Sequence, residues 1–434
     1  MSNDLKKSGN VFANRNFRLV FFGALVSELG AILYSFAVSF YILEITGNDA
    51  FLQGLYLALC GIALLLFTPI GGVLGDRLNK AHIMYVCDYL KGGMIILATV
   101  LMMTFEKSNT QVVILFVLGI LGNAVSGIFS PAAGALFPHI VEEDKLQQAN
   151  AYFSMKSSLE GIVGVVLAGI LYAVMSIYAL FFLVGLSFIA SGISEMMIRY
   201  DHRPSEEPLS LKLAVRDMAD GIRYLKTKRA ILALLASILF INFFFSPITG
   251  NFIPFFIKTD LALAPSYLFS QVLTPELWSS VFEVFFGISS LAGAAILSAR
   301  PQKEKAGRST ALWLLALAVV MVVLAVSYWL MVDRGSSLNS FLIAFCLICL
   351  AVGAMISFIN IPISTVMMQI IDKDKLSKVT SIISIGSQGM VPIASMLAGS
   401  LLQKQGSTAL LAVCAIGFLA TALLLLMNPR IREI

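Results

Sequence analysis

Three ionisable side chains stand deep inside long apolar runs: Glu28, Lys156 and Glu160. A charge near the middle of a bilayer costs roughly 2.5–3.5 kcal/mol on insertion scales, so each should face a cavity or a partner. Lys156 and Glu160 are one helical turn apart and can pair with each other. Glu28 has no partner in its own run. It either pairs with Lys156 across the bundle or stays protonated in an apolar hollow. Both states suit a carboxylate that takes up and releases a proton as its surroundings open and close. Glu28, Glu160 and Lys156 are therefore the proton-coupling candidates, with a packing lock as the other use of the Lys156–Glu160 pair. Asp88 and Lys91 are shallower and read as structural.

Other chemistry is sparse. The five cysteines (60, 87, 346, 349 and 414) all lie in apolar runs. Cys346 and Cys349 sit mid-run, where two small apolar residues on one helix face are expected rather than a redox or metal pair. His82, His139 and His202 form no ligand cluster, so no metal site is expected. No Gly-Lys dipeptide occurs, hence no phosphate loop of the P-loop type, and energy cannot come from ATP bound to this chain. No catalytic residues are expected, and the chain does not read as an enzyme.

The elements that hold these residues follow from composition. The 434 residues are 58% hydrophobic and only 13% charged, and mean hydropathy is +0.89. Soluble domains carry about 25% charged residues. That excludes a soluble enzyme, a disordered chain and a nucleic-acid-binding domain. Apolar runs of spanning length fall near 17–44, 51–75, 82–104, 110–137, 150–175 and 177–198. They resume near 229–257, 277–299, 309–332, 340–368, 379–403 and 408–428. A spanning helix needs about 20 residues, and continuous runs favour helix over barrel strands. The first run is too long for a signal-peptide core and is expected to be retained as the first span.

Lys and Arg set the orientation. One side collects 24 of them, from Lys6 and Arg15 through the 199–229 stretch to Arg432; the other has Lys107, Lys258, Arg334 and Lys404. The positive-inside rule puts the rich side, with both termini, in the cytoplasm. An internal repeat divides the chain. Gly122, Ser126 and Pro131 recur 231 residues later as Gly353, Ser357 and Pro362. After a one-residue slip, Asp144-Lys145-Leu146 and Leu167-Ala168-Gly169 recur as Asp374-Lys375-Leu376 and Leu397-Ala398-Gly399. Spans four and five thus map onto spans ten and eleven, and the halves share a topology. The repeat puts Gly386 and Met390 where Lys156 and Glu160 stand, so the duplicated fold is made without that pair. Residues 1–198 form an N-terminal six-helix bundle, 199–228 a cytoplasmic linker and 229–434 a C-terminal six-helix bundle. Within the linker, Leu211, Val215, Met218, Ile222 and Leu225 make one apolar stripe, expected as an amphipathic helix on the inner leaflet or a docking site for a partner. Residues 259–276 form a long outside loop.

Motifs add a resemblance. Gly72-Val73-Leu74-Gly75-Asp76-Arg77-Leu78-Asn79-Lys80 resembles the cytoplasmic loop motif of major facilitator transporters. The resemblance gives Gly72, Gly75, Asp76, Arg77 and Lys80 the role of a gate, the glycines letting two helices approach closely. Asp88-Tyr89-Leu90-Lys91, Phe129-Ser130-Pro131-Ala132, Leu146-Gln147-Gln148-Ala149-Asn150-Ala151 and Asp220-Gly221-Ile222-Arg223-Tyr224-Leu225 resemble the macrolide-efflux and enterobactin-exporter branch. Two marks of proton antiporters are absent: Val165 stands where a Pro is usual, and span four has no Arg.

What the resemblance implies is an all-α membrane protein with the major facilitator fold. It would have 12 transmembrane helices in two six-helix bundles and a cavity lined by spans one, four, seven and ten. Those spans offer Tyr34, Asn123, Ser126, Asn242, Asn251, Ser357 and Asn360 as cavity candidates. Span seven adds Phe240, Phe243, Phe244, Phe245 and Phe252, which either suit a large amphipathic ligand or pack in the core. The expected function is a secondary transporter of the plasma membrane that exports a drug-like or macrolide-like small molecule by alternating access and proton antiport. A siderophore or lysophospholipid carrier is the alternative within transport, and a non-transporting sensor acting through the linker is the alternative outside it. No cofactor is expected beyond the proton gradient. The expected partners are the amphipathic substrate, protons and the bilayer, with no nucleic acid, and the chain is expected to be a monomer.

Overall fold

The computed structural model describes residues 11–105, 108–142, 145–199, 223, 229–298, 306–370 and 373–427. The expected linker helix lies outside the described residues, except for Arg199 and Arg223. So do the side chains of Asp76 and Arg77 in the gate motif.

Among the described residues the chain is helical throughout, with no strand. Helices α1 (Arg15–Ile45), α2 (Ala50–Arg77), α3 (Lys80–Thr104) and α4 (Ser108–Ile140) come first. Helix α5 runs Leu146–Leu159, passes a π-turn at Glu160–Gly164 and continues as Val165–Val174. Helix α6 is Ile177–Met196. Helix α7 starts as Arg229–Pro247 and carries π-turns at Ile248–Phe252 and Ile257–Leu261. Then come α8 (Pro275–Ser298), α9 (Ala306–Tyr328, ending in a π-turn Trp329–Asp333), α10 (Leu338–Ile370) and α11 (Lys373–Met427). The short polar breaks between apolar runs supply the helix starts. Asn14, Asp49, Asn79 and Ser176 each accept a backbone N–H of the first turn that has no partner within the helix.

Eleven helices among the described residues are long and apolar enough to cross a bilayer. The last apolar segment, Gln388–Met427, is 40 residues long and bent back on itself. Gly406 holds φ at 80°, a conformation that glycine alone adopts at little cost. Before it, Gly386 packs on Leu239, and Ser395 accepts a hydrogen bond from Asn251 further along α7. After it, Thr408 bonds Asp333 at the end of α9, and Phe418 packs near Phe244. The two arms of α11 thus run side by side against α7 and α9.

Packing repeats itself along the chain. Within the first six helices α2 lies on α4, α3 on α6 and α1 on α6; among the later ones α8 lies on α10, α9 on α11 and α7 on α11. Two crossings join the sets, α2 with α11 and α5 with α8. Small residues permit the closest approaches. At Gly71 a Cβ would meet the backbone of Gly127 and Ile128 at 2.6–2.7 Å, and at Gly54 one would sit 2.4 Å from the Ser395 carbonyl oxygen. One apolar core centres on Phe252, Phe256, Phe282, Phe341 and Phe345. Two more fill the first six helices, around Phe181 and around Phe17. Outward-facing Leu66, Val174, Ile416 and Leu424 are exposed, as expected where hydrocarbon is the solvent.

Candidate functional site

The end of the bundle where α1 begins, with the α2–α3 turn, is called here the terminal face; the end with the turns at 46–49 and 335–337 is the opposite face. Midway between them, α5 meets α1. The Lys156 ammonium donates to Glu28 Oε2 at 2.6 Å and to Glu160 Oε1 at 3.2 Å. It also lies 5.5 Å from the centre of the Phe153 ring. Of the two arrangements open to Glu28, the structure holds the pair with Lys156. The side chains of Lys156 and Glu160 are 1% and 4% exposed, and that of Glu28 is 52% exposed. A helical turn in α5 brings Lys156 and Glu160 together, and the π-turn begins at Glu160 itself. Gly161 and Gly164 weaken the regular ladder there, and π-turns of this kind concentrate at working sites.

A cavity of about 360 Å³ opens within the first six helices. Tyr34, Asn123 and Ser126 line it, as does Tyr56 of α2. Lys91 of α3 reaches its wall, with the ammonium 4.2 Å from the centre of the Phe188 ring. Glu28 sits on the same stripe of α1 as Ala31 and Ser35, which line the cavity. The triad therefore stands about one turn along α1 from the cavity lining.

The remaining cavity candidates stand elsewhere. Asn251 is fully buried at the junction of α7 and α11, where its amide donates to Ser395. Ser357 bonds Ser290 inside the α8–α10 contact. Asn242 bonds the Ile238 carbonyl of its own helix, and Asn360 is exposed. The 360 Å³ cavity is thus lined by α1, α2, α3, α4 and α6, and no described residue of α7 or α10 lines it. Asn251 lies inside the π-turn Ile248–Phe252, which departs from the regular helix there. The phenylalanines of α7 divide. Phe252 is fully buried and stacks on Phe256, Phe244 packs on Phe418, and Phe240 is 44% exposed. In the gate motif, Gly75 lies against Ala132 of α4, Gly72 has open space beside it, and Lys80 is buried at the start of α3.

Two features escaped the sequence. Glu195, near the end of α6, is fully buried beside α3. On the opposite face, Lys258 of α7 reaches Glu44 of α1 at 3.1 Å and Glu276 of α8 at 3.0 Å, and Tyr172 of α5 donates to Glu44 at 3.2 Å. This latch ties the two sets of helices together. Beside it, Ala50 N–H donates to Gln403 and Gln53 to the Gly250 carbonyl, which Pro254, four residues on, has no N–H to serve. Glu44 is half exposed, so its arm of the latch is worth no more than about 1 kcal/mol. If the chain alternates between states open and closed at this face, Lys258→Met is therefore expected to raise the open population by up to about fivefold. Labelling of a cysteine introduced at Leu57 by a membrane-impermeant thiol reagent measures it; an unchanged labelling rate would show that the latch does not hold that face.

A family model described as the Major Facilitator Superfamily matches residues 20–394. The chain belongs to this superfamily of membrane transporters. Among curated relatives, the uncharacterized MFS-type transporter YkuC of Bacillus subtilis is 27% identical over 309 residues, 68% of this chain and 67% of that one. Macrolide efflux protein A of Streptococcus pyogenes is 26% identical over 245 residues, 55% of this chain; the match spans 58% of that protein's length. The bacterial homologue of the iron transporter ferroportin, solved in an inward-facing state, superposes with a TM-score of 0.71 at 15% identity, covering 95% of this chain and 98% of that one. A POT family transporter solved with 5-aminolevulinic acid gives 0.73 at 12% identity, with 96% and 97% covered. These likenesses establish the major facilitator fold.

Proposed function

We propose that this protein is a proton-coupled exporter of a small amphipathic molecule, working by alternating access in the plasma membrane. The arms of α11 are read as two spans, since 40 residues of helix would reach about 60 Å against a hydrocarbon core of about 30 Å. That makes twelve spans with both termini on one side. The Lys and Arg bias assigns that side to the cytoplasm and the latch to the outside. Residues 1–198 and 229–434 then rock as two bundles. Export of a macrolide-like molecule is supported by the likeness to macrolide efflux protein A over part of the chain, and by a cavity that mixes tyrosines, an amide and apolar walls.

The observation that carries the coupling is the 2.6 Å contact between Lys156 and Glu28 on the stripe that continues into the cavity. With Glu28 ionised, the contact ties α1 to α5, and α5 packs on α8 of the other bundle. A proton arriving on Glu28 cancels its charge, releases α1 and leaves Lys156 to Glu160. The substrate site and the bundle contact thereby respond to the same proton.

Proteoliposomes with an imposed pH gradient test this, with a macrolide and a lipophilic dye as probes. The wild type should move at least one of them against its gradient. Glu28→Gln should abolish driven export and keep binding. Driven export at the wild-type rate in that variant would remove Glu28 from the mechanism, and flux indifferent to pH would leave an uncoupled carrier.

A further inference from the structure

A second ionic group lies within the first six helices, and the mechanism above leaves it unused. Asp88 and Lys91 are one turn apart on α3, and Glu195 occupies the end of α6. The two helices touch closely here: a Cβ on Gly192 would meet the Tyr89 ring at 2.9 Å, and one on Gly92 would meet the Gly185 carbonyl at 2.8 Å. Asp88 and Glu195 are 1% and 0% exposed. Both carboxylate oxygens of Glu195 and Oδ2 of Asp88 are buried without a hydrogen-bond donor, and so is the Ser191 hydroxyl. Lys91 is within electrostatic reach of both carboxyl groups. Among the described residues, the other groups that face the cluster are Cys87 on α3, Ser191 on α6 and Glu28 on α1.

Among the described residues the charge inventory does not close. Two ionised carboxylates against one ammonium leave an uncompensated negative charge in a place sealed from water. Such a charge costs several kcal/mol, and a buried group in that position neutralises rather than stay ionised. A metal ion is a poor remedy, because the ammonium would repel it. A proton answers both defects at once. It cancels the excess charge, and it turns one orphaned acceptor into an O–H donor that the other carboxylate or Ser191 can accept.

We propose that Asp88, Lys91 and Glu195 form a second proton-binding site, in which two carboxylates share one proton opposite a single ammonium. Lys91 is the member of the cluster that reaches the cavity wall, and it also senses Glu28. A ligand that draws this ammonium toward the cavity weakens its hold on the carboxylates and tightens theirs on the proton. The part this proton plays in transport rests on the coupling proposed above; its presence in the cluster does not.

Infrared difference spectroscopy of the purified full-length protein at neutral pH reads the site without any substrate. Relative to wild type, Glu195→Gln should lose the carbonyl absorption of a single protonated carboxylic acid, because Asp88 then pairs with Lys91. Asp88→Asn should lose the same absorption for the mirror reason, and serves if Glu195→Gln fails to fold. Lys91→Met should gain one carboxylic acid. A proton held at Glu28 or Glu160 in both wild type and variant cancels in the difference spectrum. Loss of ionised carboxylate absorption alone, in both acid-to-amide variants, would overturn the proposal. If Glu28→Gln leaves driven export intact while these spectra change as described, the role of Glu28 falls and the buried proton stands.

Discussion

Replacing Lys156 by Met is expected to abolish driven export and to lower the stability of the fold by about 3–5 kcal/mol. The magnitude follows from burial. Lys156 and Glu160 are almost wholly removed from solvent, so removing the ammonium leaves a carboxylate with no compensating charge inside the bundle. It also removes the 2.6 Å contact that ties α1 to α5. The two effects can be separated. In Lys156→Met/Glu160→Gln the orphaned charge is gone, so most of the stability should return, while export should not, because Glu28 still lacks its partner. Glu160→Gln alone keeps the Lys156–Glu28 contact and should be the mildest of the three. Thermal unfolding in detergent and flux in proteoliposomes provide the two readouts. Lys156→Met as stable as wild type and fully active would show that the triad neither braces the fold nor couples it.

Much of this arrangement was legible in the sequence because the bilayer imposes simple rules. The long apolar runs became helices, and several polar breaks supplied caps, as at Asn14, Asp49 and Asn79. Pairing between Glu28 and Lys156 was one of two readings available from depth alone. What stayed hidden depends on phase and on contacts far apart in the chain. The resemblance offers Asn251 as a polar residue of a cavity-lining span, but it does not say which way the side chain turns, and Pro247 and Pro254 nearby give only a general warning of irregularity. Ser357 was legible as polar and deep; that Ser290 would take its hydroxyl was not. Glu195 sits near the end of an apolar run, where a charge ordinarily marks the membrane boundary. Nothing within one helical turn of it reveals that α3 buries it. Lys258 read as an ordinary charge of the poorer side, because Glu44 and Glu276, which it bridges, are distant in sequence.

Gly54→Val is expected to cut turnover about tenfold or more while leaving the protein folded in the membrane. Gly54 lies where α2 crosses α11, near the latch, and the added Cβ would sit 2.4 Å from the Ser395 carbonyl oxygen and 3.0 Å from the Gly399 Cα. Neither neighbour is the end of a flexible side chain, so the backbones themselves must part. Overpacking a close contact costs about 1–3 kcal/mol. On the alternating-access reading proposed above, that cost falls on the conformation in which the opposite face is closed. The latch and the Ala50–Gln403 and Gln53–Gly250 hydrogen bonds stand beside the same crossing and would be stretched with it. The population should therefore move toward a state open at that face, with a cysteine at Leu57 becoming reactive to an impermeant reagent added there. Gly93→Ala is the control, since a Cβ on Gly93 meets nothing within 4 Å. If Gly54→Val turns over at the wild-type rate with Leu57→Cys still shielded, the crossing of α2 and α11 does not close the transporter. The closed face would then have to be attributed to the ionic latch alone.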